Sequence, residues 1–469
     1  MYPLSLIIIL RRLDMKKTMP FLLSLIILVG AMSLCSCTDD VPLPPPPVTT
    51  VGEGVGTDDP NLPDYLRDGT DQVIENGWLG FLTDGAYIAC IGSPLTFRGL
   101  YAKINLRTGG ITTLCGHDVC PTDCIFRPDS FASPSKFFKF ENGKLYYVLS
   151  NPRRVMRFDI ATGTHEAVFS SGDYKDISGF QDPLIFGNDM YCVFNIAKTE
   201  NPTSEKDFDN VFSHIDLSTG KRTDIVTQEQ LPTMTYYDIA VFVEGNTVVF
   251  VNPKGVLWTL DISGDPSTYK VLATGEPGDY AHSDAFGLYY HDGWVYYIAY
   301  DEGVVPSALT DLSRVWRVRV DGSAKECLNP GDSFYAHRIY VTNNYVYYIP
   351  SHFQPGGTRE NKLLSVWRMK HDGSGNEPVI DGIDFSREYG DLLKNGAYGV
   401  QRMMLANGKL YMSVMSSVSE GDRIHGYTTL FNGFSLIEYS LEDGSYRMIT
   451  DSKTWKDGKY SSGVIRPNK

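Results

Sequence analysis

The chain has 469 residues, a formal net charge of −14 and an aromatic content of 12%. An acidic surface repels phosphate backbones and anionic lipid heads, so nucleic acid is not an expected partner. Length alone allows two or three domains, and only an internal repeat would reduce that number.

Taken in order, the N-terminus reads as an address. Met15-Lys16-Lys17 opens a basic region, and Phe21 to Ala31 is a mostly apolar run. That run is too short for a dedicated transmembrane helix and ends in a processing signal. The residues before Met15 add nothing a signal needs, which makes Met15 a candidate start. Leu34-Cys35-Ser36-Cys37 resembles the lipobox of bacterial lipoproteins, with leucine three positions before the lipidated cysteine and a small residue just before it. Cys37 fits that pattern; Cys35 does not, because Leu34 would then precede the cut. The resemblance implies a signal peptide over 1–36 and a lipid anchor on Cys37. The competing reading is an ordinary secretory signal with a chance cysteine. Thr38, in place of aspartate, leans toward the outer membrane. Asp39-Asp40 is similar to the surface-export signal of Bacteroidetes lipoproteins. The expected location is therefore the outer membrane, on its periplasmic or surface side. Residues 1–36 carry a net +3, so removing them takes the chain from −14 to −17.

Residues 37–72 read as anchor and tether. Pro42, Pro44, Pro45, Pro46 and Pro47 are followed by a glycine-rich stretch that cannot bury a core. Gly52, Gly54 and Gly56 have no strand before them and no helix after them, so they read as linker rather than a nucleotide loop.

The remainder, 73–469, is a repeat. Its clearest copy is Tyr335 to Ile380, with apolar runs at Arg338 to Val341, Tyr345 to Ile349, Leu364 to Met369 and Glu377 to Ile380. Short β-branched and aromatic runs between Asn and Gly turns describe antiparallel strands joined by hairpins. The first turn recurs at Asp84-Gly85, Asn142-Gly143, Gly187-Asn188, Gly245-Asn246, Asp292-Gly293, Asn343-Asn344 and Asn407-Gly408. The second recurs at Thr108-Gly109, Thr162-Gly163, Thr219-Gly220, Ser263-Gly264, Asp321-Gly322, Asp372-Gly373 and Asp443-Gly444. The two series interleave without a miss. They predict an all-β chain, a seven-bladed β-propeller of four-stranded antiparallel blades, following a signal peptide and a flexible tether. Each repeat holds its strands in the order a to d, so closure rests on packing between the first and seventh blades. Val73 to Glu75 and Gly463 to Arg466 are candidates for a latch.

In such a fold the a–b and c–d turns share one face, and here they are all tight. The other face carries the extra length: b–c loops at Ala197 to Asn210, Asp301 to Leu312, Ser351 to Lys362 and Ser413 to Asn432, and d–a loops at Arg127 to Ser135 and Gly382 to Gly399. Binding residues concentrate on loops held by a rigid scaffold, so the elaborated face is the expected working face. Tyr280, His282, Tyr335 and His337, from two Tyr-Ala-His connections, together with Arg338 and Arg402, form a candidate rim for a sugar or a carboxylate. The plainer reading is that duplicated blades share structural residues.

Cys115, His117, Cys120 and Cys124 make the densest chemical cluster. They can close a zinc site, form a disulfide with one thiol left over, or remain thiols; export favours the disulfide. Cys90, Cys192 and Cys327 fall singly on strands and read as small core residues. No metal or other cofactor is otherwise implied.

The Tyr-Tyr strands, the Trp-Arg-Val strand end before Asp321-Gly322, and the cysteine spacing after the first blade resemble a group of bacterial lipoproteins with propellers of the low-density-lipoprotein-receptor-like type. The Tyr-Trp-Thr-Asp tetrapeptide that names the receptor propellers is absent, so no calcium chemistry follows. The resemblance implies a fold and a location. With neither a G-x-S-x-G nor an H-E-x-x-H motif in the chain, the leading functional expectation is a non-catalytic binding or scaffold module, with a glycan, peptide or protein partner and the membrane held through the lipid. The rival is a carbohydrate-active hydrolase or lyase, whose residues would come from several blades. Cys37→Ala is expected to abolish lipid labelling and release the protein from membranes; labelling lost only in Cys35→Ala would reverse the assignment.

Overall fold

The computed structural model describes residues 73–74, 81–83, 86–93, 98–114, 137–141, 144–150, 153–180, 183–199, 202, 204, 207–276, 281, 288–300, 313–331, 335–351, 363–384, 396–422 and 426–450. Within them the chain is an all-β propeller, built of antiparallel sheets that follow one another in sequence. The first sheet comprises Phe81–Thr83, Ala86–Ser93, Arg98–Asn105 and Ile111–Thr113; the second comprises Phe137–Glu141, Lys144–Ser150, Arg153–Asp159 and Thr164–Ser170. In the third, strand a is split into Ile177–Phe180 and Leu184–Phe186 around Pro183, which has no N–H for a ladder. Its other strands are Asp189–Ala197, Phe208–Asp216 and Lys221–Thr227. The fourth sheet is Ile239–Glu244, Thr247–Val251, Val256–Asp261 and Lys270–Thr274. The fifth is Leu288–His291, Trp294–Tyr300, Ser313–Arg319 and Lys325–Cys327. The sixth is Tyr335–Val341, Val346–Ser351, Leu363–Met369 and Glu377–Asp384, and the seventh is Gly396–Ala406, Lys409–Asp422, Gly426–Ser440 and Tyr446–Thr450.

The repeated Tyr-Tyr pair on strand b has a packing reason. Successive strand residues point to opposite faces of the sheet. Tyr146 and Tyr147, Tyr296 and Tyr297, and Tyr347 and Tyr348 therefore put a ring on each flank, and all six are buried. A buried tyrosine hydroxyl still needs a partner. Tyr147 meets His165 Nδ1 at 2.8 Å, Tyr348 donates to Asn376 Oδ1 at 2.9 Å, and the Tyr340 hydroxyl accepts from the Leu405 N–H at 3.1 Å.

Register across strands b, c and d is marked by a second device. Tyr296 lies opposite Arg317, which lies opposite Glu326; Tyr146, Arg157 and Glu166 repeat the order, as do Tyr347, Arg368 and Glu377. The seventh sheet inverts the charges, with Tyr411, Glu438 and Arg447. Arg317 Nε donates to Glu326 at 2.8 Å, and Arg368 Nε to Glu377 at 2.8 Å. Both glutamates are about half exposed, so each pair adds only ~0–1 kcal/mol of stability and acts mainly to favour one pairing. Glu438 is more enclosed. Burial pushes its carboxyl up, but Arg447 and Lys409 outweigh that and hold it at about 2.

Three of the second turns make close backbone contact between sheets. All seven second-turn glycines have φ between +70° and +81°. At three of them the backbone of the preceding sheet is so close that a Cβ would run into a carbonyl oxygen: Gly264 against Ile225, Gly373 against Leu328 and Gly109 against Ile449. The last joins the seventh sheet to the first. Arg447 Nη2 adds a hydrogen bond to the Leu106 carbonyl at 2.9 Å, and Tyr87 and Ile104 belong to one core with residues of the fifth, sixth and seventh sheets.

Three sequence expectations change. Ser413 to Asn432 is not a loop: strands b and c of the seventh sheet continue as a paired ribbon to Asp422 and Gly426, with a bulge between Ser416 and Ser417. Val414, Val418 and the run Thr428 to Phe431 are good strand formers, and the serines and glycines among them disguised the pattern. The connection expected over Gly382 to Gly399 is shorter, because strand d of the sixth sheet reaches Asp384 and strand a of the seventh begins at Gly396. Finally, Val73–Ile74 pairs with strand a of the fifth sheet, Val73 opposite Tyr289 and Ile74 opposite Leu288. Gly463 to Arg466, the other half of the expected latch, lies outside the described residues.

Gly109→Ala should cost about 2 kcal/mol or more, because a positive φ and an occupied Cβ position act together. Gly163 shares the φ of +70° but has nothing within 4 Å of a Cβ, so Gly163→Ala should cost only about 1 kcal/mol. Chemical denaturation of both variants checks the difference; equal losses would remove the role given to the inter-sheet contact.

Candidate binding site on the elaborated face

Of the residues singled out in the sequence, Cys37, Cys115, His117, Cys120, Cys124, Tyr280 and His282 lie outside the described residues. Tyr335 and His337 stand on strand a of the sixth sheet, beside a register shift between Ala336 and Arg338. A matching shift between Val400 and Arg402 occurs on strand a of the seventh. Arg338 and Arg402 are thus equivalent, but they are only 8% and 4% exposed. Arg338 Nε donates to the Val400 carbonyl at 3.2 Å, tying the two strands. Burial lowers the guanidinium of Arg338 to about 10 and of Arg402 to about 9. Little of either side chain is left for a ligand on the surface. Cys192 is buried in the core of the third sheet, and Cys327 is half-buried at the end of strand d of the fifth.

A different group gathers on the elaborated face, around the third sheet. Asn195 near the end of strand b lies opposite Asn210 near the start of strand c, and the Gln228 N–H donates to the Asn210 carbonyl just beyond strand d. Their side chains form a directed row: Asn195 Nδ2 donates to Asn210 Oδ1 at 3.3 Å, and Asn210 Nδ2 donates to Gln228 Oε1 at 2.9 Å. All three are half-buried. Gly179 on strand a lies opposite Asn195, and a Cβ there would come 2.8 Å from Tyr236 Oη. Glycine therefore leaves room for the Tyr236 ring to reach the same flank of the sheet.

Tyr236 and Tyr237 come from the connection between the third and fourth sheets, which is held by a buried carboxylate. Asp238 accepts from Trp258 Nε1 at 2.8 Å, from Asn252 Nδ2 at 3.2 Å and from the Thr235 hydroxyl at 2.8 Å. It is fully buried and fully occupied, as a buried charge must be. The turn above it presents Tyr236 inward and Tyr237 outward, edge to face, with ring centroids 5.5 Å apart. From the second sheet, Arg153 Nη1 donates to Tyr236 Oη at 3.3 Å while its guanidinium lies 5.0 Å from the centre of the Phe180 ring. Tyr236 Oη in turn donates to the Phe180 carbonyl at 3.4 Å. Burial raises the Tyr236 hydroxyl against the pull of Arg153, which keeps it neutral. Tyr237 is 60% exposed, the most exposed large apolar side chain among the described residues.

The same sheet carries a serine, a histidine and an aspartate that do not make a nucleophile. His214 Nε2 meets Asp189 Oδ1 at 2.7 Å, but Ser213 donates to Asp224 Oδ1 at 2.8 Å. Ser213 and His214 are strand neighbours and so face opposite ways. Among the described residues, no three His, Cys, Asp or Glu side chains converge as metal ligands.

No local motif marks the amide row, since its members are 15 and 18 residues apart and meet only through strand register. Gly179 was the one available signal, a glycine inside a strand pattern, which often marks a close approach.

No family model matches the chain, and no curated protein matches it. Among solved structures, the computationally designed Ika8 protein is similar over 80% of this chain and 99% of its own, with 11% identity and a TM-score of 0.37. A puromycin hydrolase S511A mutant complexed with PGG is similar over 85% of this chain and 56% of its own, with 10% identity and a TM-score of 0.44. TolB from Acinetobacter baumannii is similar over 63% of this chain and 64% of its own, with 17% identity and a TM-score of 0.33. This chain thus spans less than two thirds of the latter two. At these values none of them informs on what it binds.

Gly179→Ala should displace Tyr236 and lower the melting temperature by several degrees, whereas Tyr236→Phe should lower it by less, about 1 kcal/mol being lost with the hydroxyl. Thermal unfolding of the two variants checks the order.

Proposed function

We propose that the protein is a surface or outer-membrane lipoprotein whose propeller serves as a non-catalytic binding or scaffold module. The observation that carries this reading is the asymmetry of the two faces. One face holds the turns between strands c and d, each closed by a glycine at positive φ. The other holds the aromatic and amide group around Tyr236, Tyr237, Asn195, Asn210 and Gln228. A rigid sheet stack with polar and aromatic side chains collected on one side suits recognition. Cys37, directly after the signal segment, supplies the membrane attachment, and the proline-rich stretch after it supplies reach.

The mature protein, purified in detergent, should retain ligands from oligosaccharide or peptide libraries without altering them. Binding with release of new reducing ends would move the protein to the carbohydrate-active enzymes. Failure to retain any member of either library would count against a binding role.

A further inference from the structure

We infer that the flank of the third sheet bearing Asn195, Asn210 and Gln228, with Tyr236 and Tyr237 at its inner end, is a binding cleft for a neutral oligosaccharide. The inference rests on the binding-module reading and adds the place and the ligand class.

The row is polarised. Each amide gives an N–H to the next oxygen, so the Asn195 carbonyl oxygen is left at one end and the Gln228 NH₂ at the other. Neither has a further hydrogen-bond partner among the described residues. An acceptor and a donor two interstrand spacings apart, about 10 Å, match hydroxyls on different residues of one oligosaccharide, each of which both gives and takes a hydrogen bond. The row holds no carboxylate and no ammonium. The guanidinium beside Tyr236, that of Arg153, is already engaged by Tyr236 and the Phe180 ring. Neutral hydroxyls fit this lining better than a charged group.

Tyr237 supplies the second requirement. An aromatic ring with a free face can cover the apolar C–H surface of a pyranose, and this ring is exposed while its base is pinned through Asp238. Preorganisation of that kind reduces the ordering cost of a weak ligand. A peptide is the poorer match. Extended peptides add to an open strand edge, whereas the amide row crosses strands b, c and d, which are already paired to one another.

The test uses the mature protein on a printed array of neutral and uronic-acid oligosaccharides, followed by titration calorimetry with the best-retained neutral one. Tyr237→Ala and Gln228→Ala should each weaken binding by about tenfold or more, the scale of one lost contact. Tyr237→Trp should keep it, and all three variants should melt within about 2 °C of the parent, as surface changes do. Neutral binding that both alanine variants leave intact would overturn the site while sparing the binding-module reading. Retention of uronic acids alone would overturn the ligand class. An array without signal would overturn the inference, and the peptide library then decides whether a binding role survives it.

Discussion

Everything in this propeller depends on how closely one sheet can approach the next at the turn between strands c and d. The turn needs a left-handed residue, and at three of the seven its glycine also lies against the backbone of the preceding sheet. Gly264, Gly373 and Gly109 meet both demands at once. Side chains alone could fill the space between twisted sheets, but packing is sensitive to fractions of an ångström. A backbone contact at the rim sets the spacing within which the paired tyrosines of strand b fit. The ionic crossings of strands c and d add little energy, yet a slip by one residue would separate every pair.

That spacing is what makes a surface group such as the amide row possible. Asn195 and Asn210 belong to two strands and Gln228 follows a third, and they acquire their order only because the ladder holds them in line. Tyr236 belongs to none of these strands. It arrives from the following connection, anchored by Asp238 in the fourth sheet, and is met by Arg153 from the second. The group therefore joins elements of three successive sheets, and its shape follows from their fixed separation and from the anchored connection that carries Tyr236.

The fold was legible because its punctuation is local. A positive φ calls for glycine or asparagine wherever it occurs, so turns such as Asp292-Gly293 and Asn407-Gly408 are visible in two letters. The paired tyrosines were legible as strand residues, though not as double-sided wedges. The candidate rim was harder. Arg338 and Arg402 share a position relative to their turns, as their spacing indicated, but a bulge before each carries them into the interior. Nothing in a single sequence announces such a bulge. The amide row was illegible for the same reason, since asparagine and glutamine at strand ends look like ordinary loop polarity. The ribbon of the seventh sheet failed in the other direction, its serines and glycines suggesting a loop where pairing continues to Asp422.

The hydrogen bond from Arg447 to the Leu106 carbonyl joins residues 341 positions apart. Contacts of such long range form late, because the loop must close before they contribute anything. During synthesis the first sheet emerges long before its final neighbour exists. Until then the flank carrying Tyr87 and Ile104 has no cover from the seventh sheet, and exposed apolar flanks of partly built sheets invite association with other chains. The closing seam is thus also the place where a nascent copy of this protein is most vulnerable.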